Sequence, residues 1–124
     1  MDAMSDESYQ VRVERWLEAC LPEKARRDRL ERTFRFLEEA LELAQANGCT
    51  NEEAHQLIEY VYGRPVGQPA QEVGGVMVTL ASLCSAVGID MNDAGNRELE
   101  RNWSRIEEIR RKQAAKPHGS PLPQ

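Results

Sequence analysis

Residues 35–43 read RFLEEALEL, and the apolar positions in and around this stretch decide the fold class. At about 100° per residue, Leu30, Phe34, Leu37 and Leu41 fall on one stripe of a helix, while Phe36 and Leu43 fall on another side. Two apolar stripes predict a helix packed on both flanks, with Glu38, Glu39 and Glu42 in the gap between them. Outward from this stretch, the helix extends from about Glu23 to Asn47, where Gly48 supplies a left-handed stop. Thr50 follows as an N-cap, and Glu53 three residues later completes a capping box for the next helix.

The same period continues along the chain and predicts about five helices and no strand. The first runs from about Asp6 to Leu21, with Tyr9, Val13, Trp16, Leu17 and Cys20 at three- and four-residue spacings, and stops before Pro22. The third covers Asn51 to about Tyr62 and is expected to bury Ala54, Leu57, Ile58 and Val61; the Gly- and Pro-rich GRPVGQP follows it as a loop. A fourth covers Ala70 to about Val87 and ends at Gly88. The last runs from about Asn92 to Ala115 with Leu99, Trp103, Ile106 and Ile109 on one face. Residues 1–115 therefore read as a single all-α domain, a compact helical bundle. The end, KPHGSPLPQ, residues 116–124, reads as a flexible tail whose SPLP is either a disordered end or a polyproline ligand.

Length and composition agree with this. A chain of 124 residues supports one core of ordinary size, and 40% hydrophobic with only 6% aromatic residues suits a helical domain better than a sandwich or barrel. Sixteen Lys and Arg against 21 Asp and Glu leave a net charge of -5, which disfavours non-specific binding to nucleic acid. Cys20, Cys49 and Cys84 are odd in number and form no CxxC pair, as expected of a reduced, cytoplasmic compartment. The opening MDAMSDESYQ shows no basic region followed by an apolar one, so no secretory signal is expected. The most apolar stretch, Val73 to Ile89, is near the lower length limit for a membrane span and contains Thr79, Ser82, Ser85 and three glycines. It predicts a buried core helix, with no membrane partner.

The acids carry the functional signal. Glu39 and Glu42 are one turn apart and about 60° apart around the axis, within reach of one divalent ion or of neighbouring ions. Hard oxygen donors favour magnesium or manganese over zinc. Glu72 is the only charged residue between Arg64 and Asp90, so it sits at an exposed helix start, pairs with Arg or Lys, or faces a metal. On spacing alone, solvated or salt-bridged glutamates stand beside an acidic metal site as the alternative. His55 and His118 are too isolated for a catalytic pair, and no pattern around Cys84 supports a nucleophile.

From about Arg35 to Lys112 the sequence resembles the MazG-like all-α nucleoside triphosphate pyrophosphohydrolases, which include helical dUTPases and dCTPases. RFLEEALEL resembles the family's EExxE helix, QEVGGVMVTLASLCSAVGIDM its second acidic helix and following loop, and ELERNWSRIEEIRRKQ its closing helix. The resemblance implies magnesium, or manganese, gripping a nucleoside or deoxynucleoside triphosphate while an activated water releases pyrophosphate and leaves the monophosphate. It implies Glu39, Glu42 and Glu72 as metal ligands, Glu38 as the residue that positions or activates water, and Asn102 and Arg105 as nucleotide-binding residues. It also implies a homodimer or homotetramer. The sequence departs from the family where ExxD expects an aspartate: Gly75 stands three residues after Glu72. Fewer metals with reduced activity, a substitute acid such as Asp90, Asp93 or Glu98, or a module that binds nucleotide without hydrolysing it are the consequences to separate. A purely structural or protein-interaction bundle is the third class of reading. Among Lys24, Arg26, Arg27, Arg29, Arg32 and Arg35, Arg35 is the candidate for holding phosphate oxygens; pairing with Glu23, Asp28 and Glu31 at helical spacing is the alternative for the run.

Overall fold

The computed structural model describes residues 7–116 and 119–123; Asp6, where the sequence predicts the first helix to start, and His118 lie outside them. Among the described residues there are seven helices and no strand: α1 (Tyr9–Cys20), α2 (Glu23–Arg26), α3 (Arg29–Ala46), α4 (Asn51–Tyr62), α5 (Pro69–Val87), α6 (Met91–Trp103) and α7 (Ile106–Ala115). The all-α class is as expected, and the two additional helices come from two breaks. At the first, Arg27 leaves helical geometry (φ −97°, ψ 2°), and the Asp28 carboxylate accepts from the Glu31 amide at 3.1 Å, starting α3 afresh. At the second, the Ser104 hydroxyl donates to the Arg101 carbonyl at 2.6 Å, and Arg105 (φ −118°, ψ 22°) caps α7.

The chain divides into two compact units: Glu39–Ala94, and the described residues on either side of it. In the flanking unit, Ser8 caps α1 by accepting from the Val11 amide at 3.1 Å. Glu14 accepts from Arg26 and Arg27 at 3.1 Å each, holding α2 to α1. Arg110 of α7 donates to the Ala19 carbonyl at 3.2 Å, satisfying an acceptor left open at the end of α1. Tyr9 donates to the Gly95 carbonyl at 2.6 Å, and its ring lies so close that a Cβ on Gly95 would sit 3.2 Å from it. Cys20, Leu21 and Leu99, at 4%, 7% and 4% exposure, are the buried side chains among the described residues.

In Glu39–Ala94, punctuation follows the sequence closely. Gly48 has φ +91°, and the Thr50–Glu53 capping box closes with bonds of 2.9 and 3.1 Å. Pro69 begins α5 and Gly88, at φ +74°, ends it. Burial does not follow the expectation. No residue of α4 or α5 is buried, and Leu57, Ile58 and Val61 on α4 and Val73, Met77 and Val78 on α5 are exposed. Cys84 is half-buried. The third and fourth predicted helices therefore exist, but within one chain their apolar faces remain in solvent. By length and composition alone, α5 is also the one helix among the described residues long and apolar enough to cross a membrane.

Candidate acidic site on α3 and α5

Arg35, Glu38, Asn102 and Arg105 belong to the flanking unit, and Glu39, Glu42 and Glu72 to the other. Around the first half of α3 the charges form a connected set. Arg35 lies between Glu31, one turn before it (Nε to Oε1, 3.2 Å), and Glu38, one turn after it (Nη1 to Oε1, 2.8 Å). Its Nη2 donates to the Pro121 carbonyl. Glu31 also receives the Lys116 ammonium, and both of those side chains are about nine-tenths removed from solvent. Arg32, beside Glu31 at 3.9 Å, has its pKa lowered first by burial, with Glu31 opposing and Arg35 adding to the shift. Glu38 is thus oriented by a cation, with Oε1 engaged.

Glu39 and Glu42 follow on the same helix, both exposed. Glu42 has no ion-pair or hydrogen-bond partner among the described residues. Glu72 lies in the first turn of α5 and is exposed, in keeping with the helix-start alternative. Its carboxylate folds back over Gly67, where any Cβ would overlap it. Around Gly74 and Gly75 a Cβ would meet nothing within 4 Å. The absent aspartate is therefore not excluded by lack of room, and no backbone presses on these glycines among the described residues.

The candidate replacement acids are otherwise engaged. Asp90 accepts from the Asp93 amide at 2.8 Å and caps α6. Glu98 is gripped by Arg101 through two bonds of 3.1 and 3.0 Å, and that hydrogen bonding holds its carboxyl below the usual range. Arg105 donates to Glu108 at 3.3 Å, and the Asn102 carbonyl accepts the Arg105 amide at 3.0 Å. Asn102 itself is half-buried.

Glu39 and Glu42 suit magnesium in donor type and number, because this ion is commonly held by one or two carboxylates plus substrate phosphates, with water completing the shell. No group of three His, Cys, Asp or Glu side chains that would enclose a metal occurs among the described residues. Glu31 was among the partners expected for the arginine run at helical spacing, and it does pair with Arg35, but its pairing with Lys116 was not foreseen. The spacing of Glu31 to Arg35 was visible as a four-residue pair, but nothing local signals Lys116, 85 positions away. No family model matches the chain, and no curated protein or solved structure is significantly similar to it.

Proposed function

We propose that this chain is a magnesium- or manganese-dependent nucleotide pyrophosphohydrolase that converts a nucleoside or deoxynucleoside triphosphate to the monophosphate and pyrophosphate. The observation that carries the reading is the pair of exposed carboxylates, Glu39 and Glu42, one turn apart on α3 immediately after the oriented Glu38. Glu39 and Glu42 would hold the ion, with Glu72 the third acid that the resemblance implies. Bound magnesium supplies neutralisation of the triphosphate charge and acidifies water. Glu38, with Oε1 fixed by Arg35, presents Oε2 to accept a proton from the attacking water. Cationic donors around the phosphorus offset the charge that accumulates there.

The working form is a homodimer or homotetramer. Ordering a residue costs about 1–2 kcal/mol of backbone entropy, which a helical unit offsets chiefly by burying apolar surface. Glu39–Ala94 leaves the apolar faces of both α4 and α5 exposed, and α5 is apolar around most of its circumference, the pattern of a helix buried on all sides. A second copy offers matching faces with few charges to desolvate, since Glu72 is the single charge on α5.

Incubation with each NTP and dNTP plus magnesium or manganese tests the enzyme reading through pyrophosphate release. Gly75 favours a second reading, a module that binds nucleotide without turnover. Metal-dependent nucleotide binding with no pyrophosphate from any substrate would select it.

A further inference from the structure

The C-terminal segment has a specific place on α3. Lys116 is paired with Glu31 in a nearly solvent-free ion pair, and five residues later the Pro121 carbonyl accepts from Arg35, one turn further along the helix. Between these points the chain turns at Gly119 (φ +76°), and the Leu122 amide bonds the Ser120 hydroxyl at 3.1 Å. The described part of the segment is thus tied to α3 at two successive turns.

The chemistry of the second tie is unequal. A guanidinium presents a fork of donors suited to anionic oxygens, and charge-assisted bonds to such oxygens are about twice as strong as those between neutral groups. On Arg35 one arm meets Glu38, whereas the other meets only a neutral carbonyl. Pro121 and Pro123 have no N–H, so release of this stretch strands few donors. The Arg35 Nε faces the Glu31 carboxylate at 3.2 Å. Nη2 is therefore the one arm of the guanidinium that meets no carboxylate among the described residues, and it is covered by a neutral carbonyl that an anion outcompetes.

We infer that residues 119–123 are a strap whose Pro121 carbonyl occupies a phosphoryl-oxygen site on Arg35, and that an anionic phosphoryl ligand displaces the strap while Lys116–Glu31 remains as its hinge. This rests on the proposed function only in taking Arg35 as a phosphate-facing residue. The strap excludes ligand until it lifts, so it sets a threshold for phosphoryl binding at the start of the acidic motif.

The probe is inorganic pyrophosphate with magnesium, titrated calorimetrically into the full chain, into a chain ending at Lys116, and into Arg35→Gln versions of both. Truncation is expected to tighten binding about three- to tenfold, and Arg35→Gln to abolish that gain. Equal or weaker binding by the truncated chain, or no binding by either, overturns the inference. In the intact chain, nuclear magnetic resonance should show the Leu122 and Gly119 amides moving to free-chain positions at saturating pyrophosphate; unmoved amides overturn it as well. Strap release without turnover of any nucleotide would remove the enzyme reading and keep the strap, while turnover with unmoved amides would remove the strap alone.

Discussion

Met77→Asp tests whether a second copy covers α5. Met77 is 61% exposed in the single chain. Complete burial of a Met side chain contributes about 1.5–3 kcal/mol, so covering the exposed part contributes about 1–2 kcal/mol per protomer. An isologous interface uses the residue twice, giving about 2–4 kcal/mol per dimer before any cost of burying a carboxylate. Since about 1.4 kcal/mol is tenfold in affinity, the dissociation constant should rise at least about 30-fold. Sedimentation over a concentration series reads this directly, and Glu52→Gln on the exposed face of α4 serves as a control that leaves association unchanged. A wild-type chain that is monomeric throughout while retaining a cooperative thermal transition would refute the reasoning, as would a Met77→Asp variant that associates like wild type.

Other outcomes follow from particular contacts. Leu99→Ala, at 4% exposure, should lower stability by about 2–3 kcal/mol in urea denaturation, near the low end for a buried leucine because its surroundings are only half-buried. Glu31→Gln weakens the acceptor of both Lys116 and Arg35 and should cost about 1–3 kcal/mol in the same assay. The Glu53 carboxyl is held below its ordinary value, first by the Thr50 amide and then by the Thr50 hydroxyl. Because its folded pKa is depressed, its contribution is present above the unfolded carboxylate range and is lost as pH falls through the lower folded value. A carbon-detected titration should show this, and Thr50→Ala should shift the Glu53 midpoint upward.

Much of the fold was legible in the sequence because its signals are local. The Thr50–Glu53 box and the stops at Gly48 and Gly88 each act within a few residues and lie where the spacing predicts, whereas Pro69, which falls in the Gly- and Pro-rich loop on sequence alone, is the first residue of α5. The break at Arg27 and Asp28 was missed because Asp28 continues a helical pattern until its side chain captures the Glu31 amide. Ser104 hides the second break in the same way, through its bond to Arg101. Burial was misread on α3, where Leu30, Phe36, Leu37 and Leu41 are exposed and the expected packing on both flanks is not found, and on α4 and α5, because periodicity identifies an apolar face and says nothing of what covers it. On the site, the one-turn spacing of Glu39 and Glu42 follows from helical geometry, and the exposed helix-start position of Glu72 was among the sequence alternatives. The pairing of Lys116 with Glu31 and of Pro121 with Arg35 had no sequence signal, because such contacts depend on how distant segments meet.

In the proposed function, α3 and α5 carry the acids of a metal-dependent triphosphate site. Pyrophosphate release from a panel of NTPs and dNTPs with magnesium, measured for wild type, Glu39→Gln and Glu72→Gln, tests it most directly. Turnover by wild type on at least one nucleotide is expected, with loss of at least about a hundredfold in each variant and helical circular dichroism unchanged, as when a group acting at the reacting phosphate is removed. Undiminished release by Glu39→Gln or Glu72→Gln, or no release by wild type with any nucleotide, would contradict it.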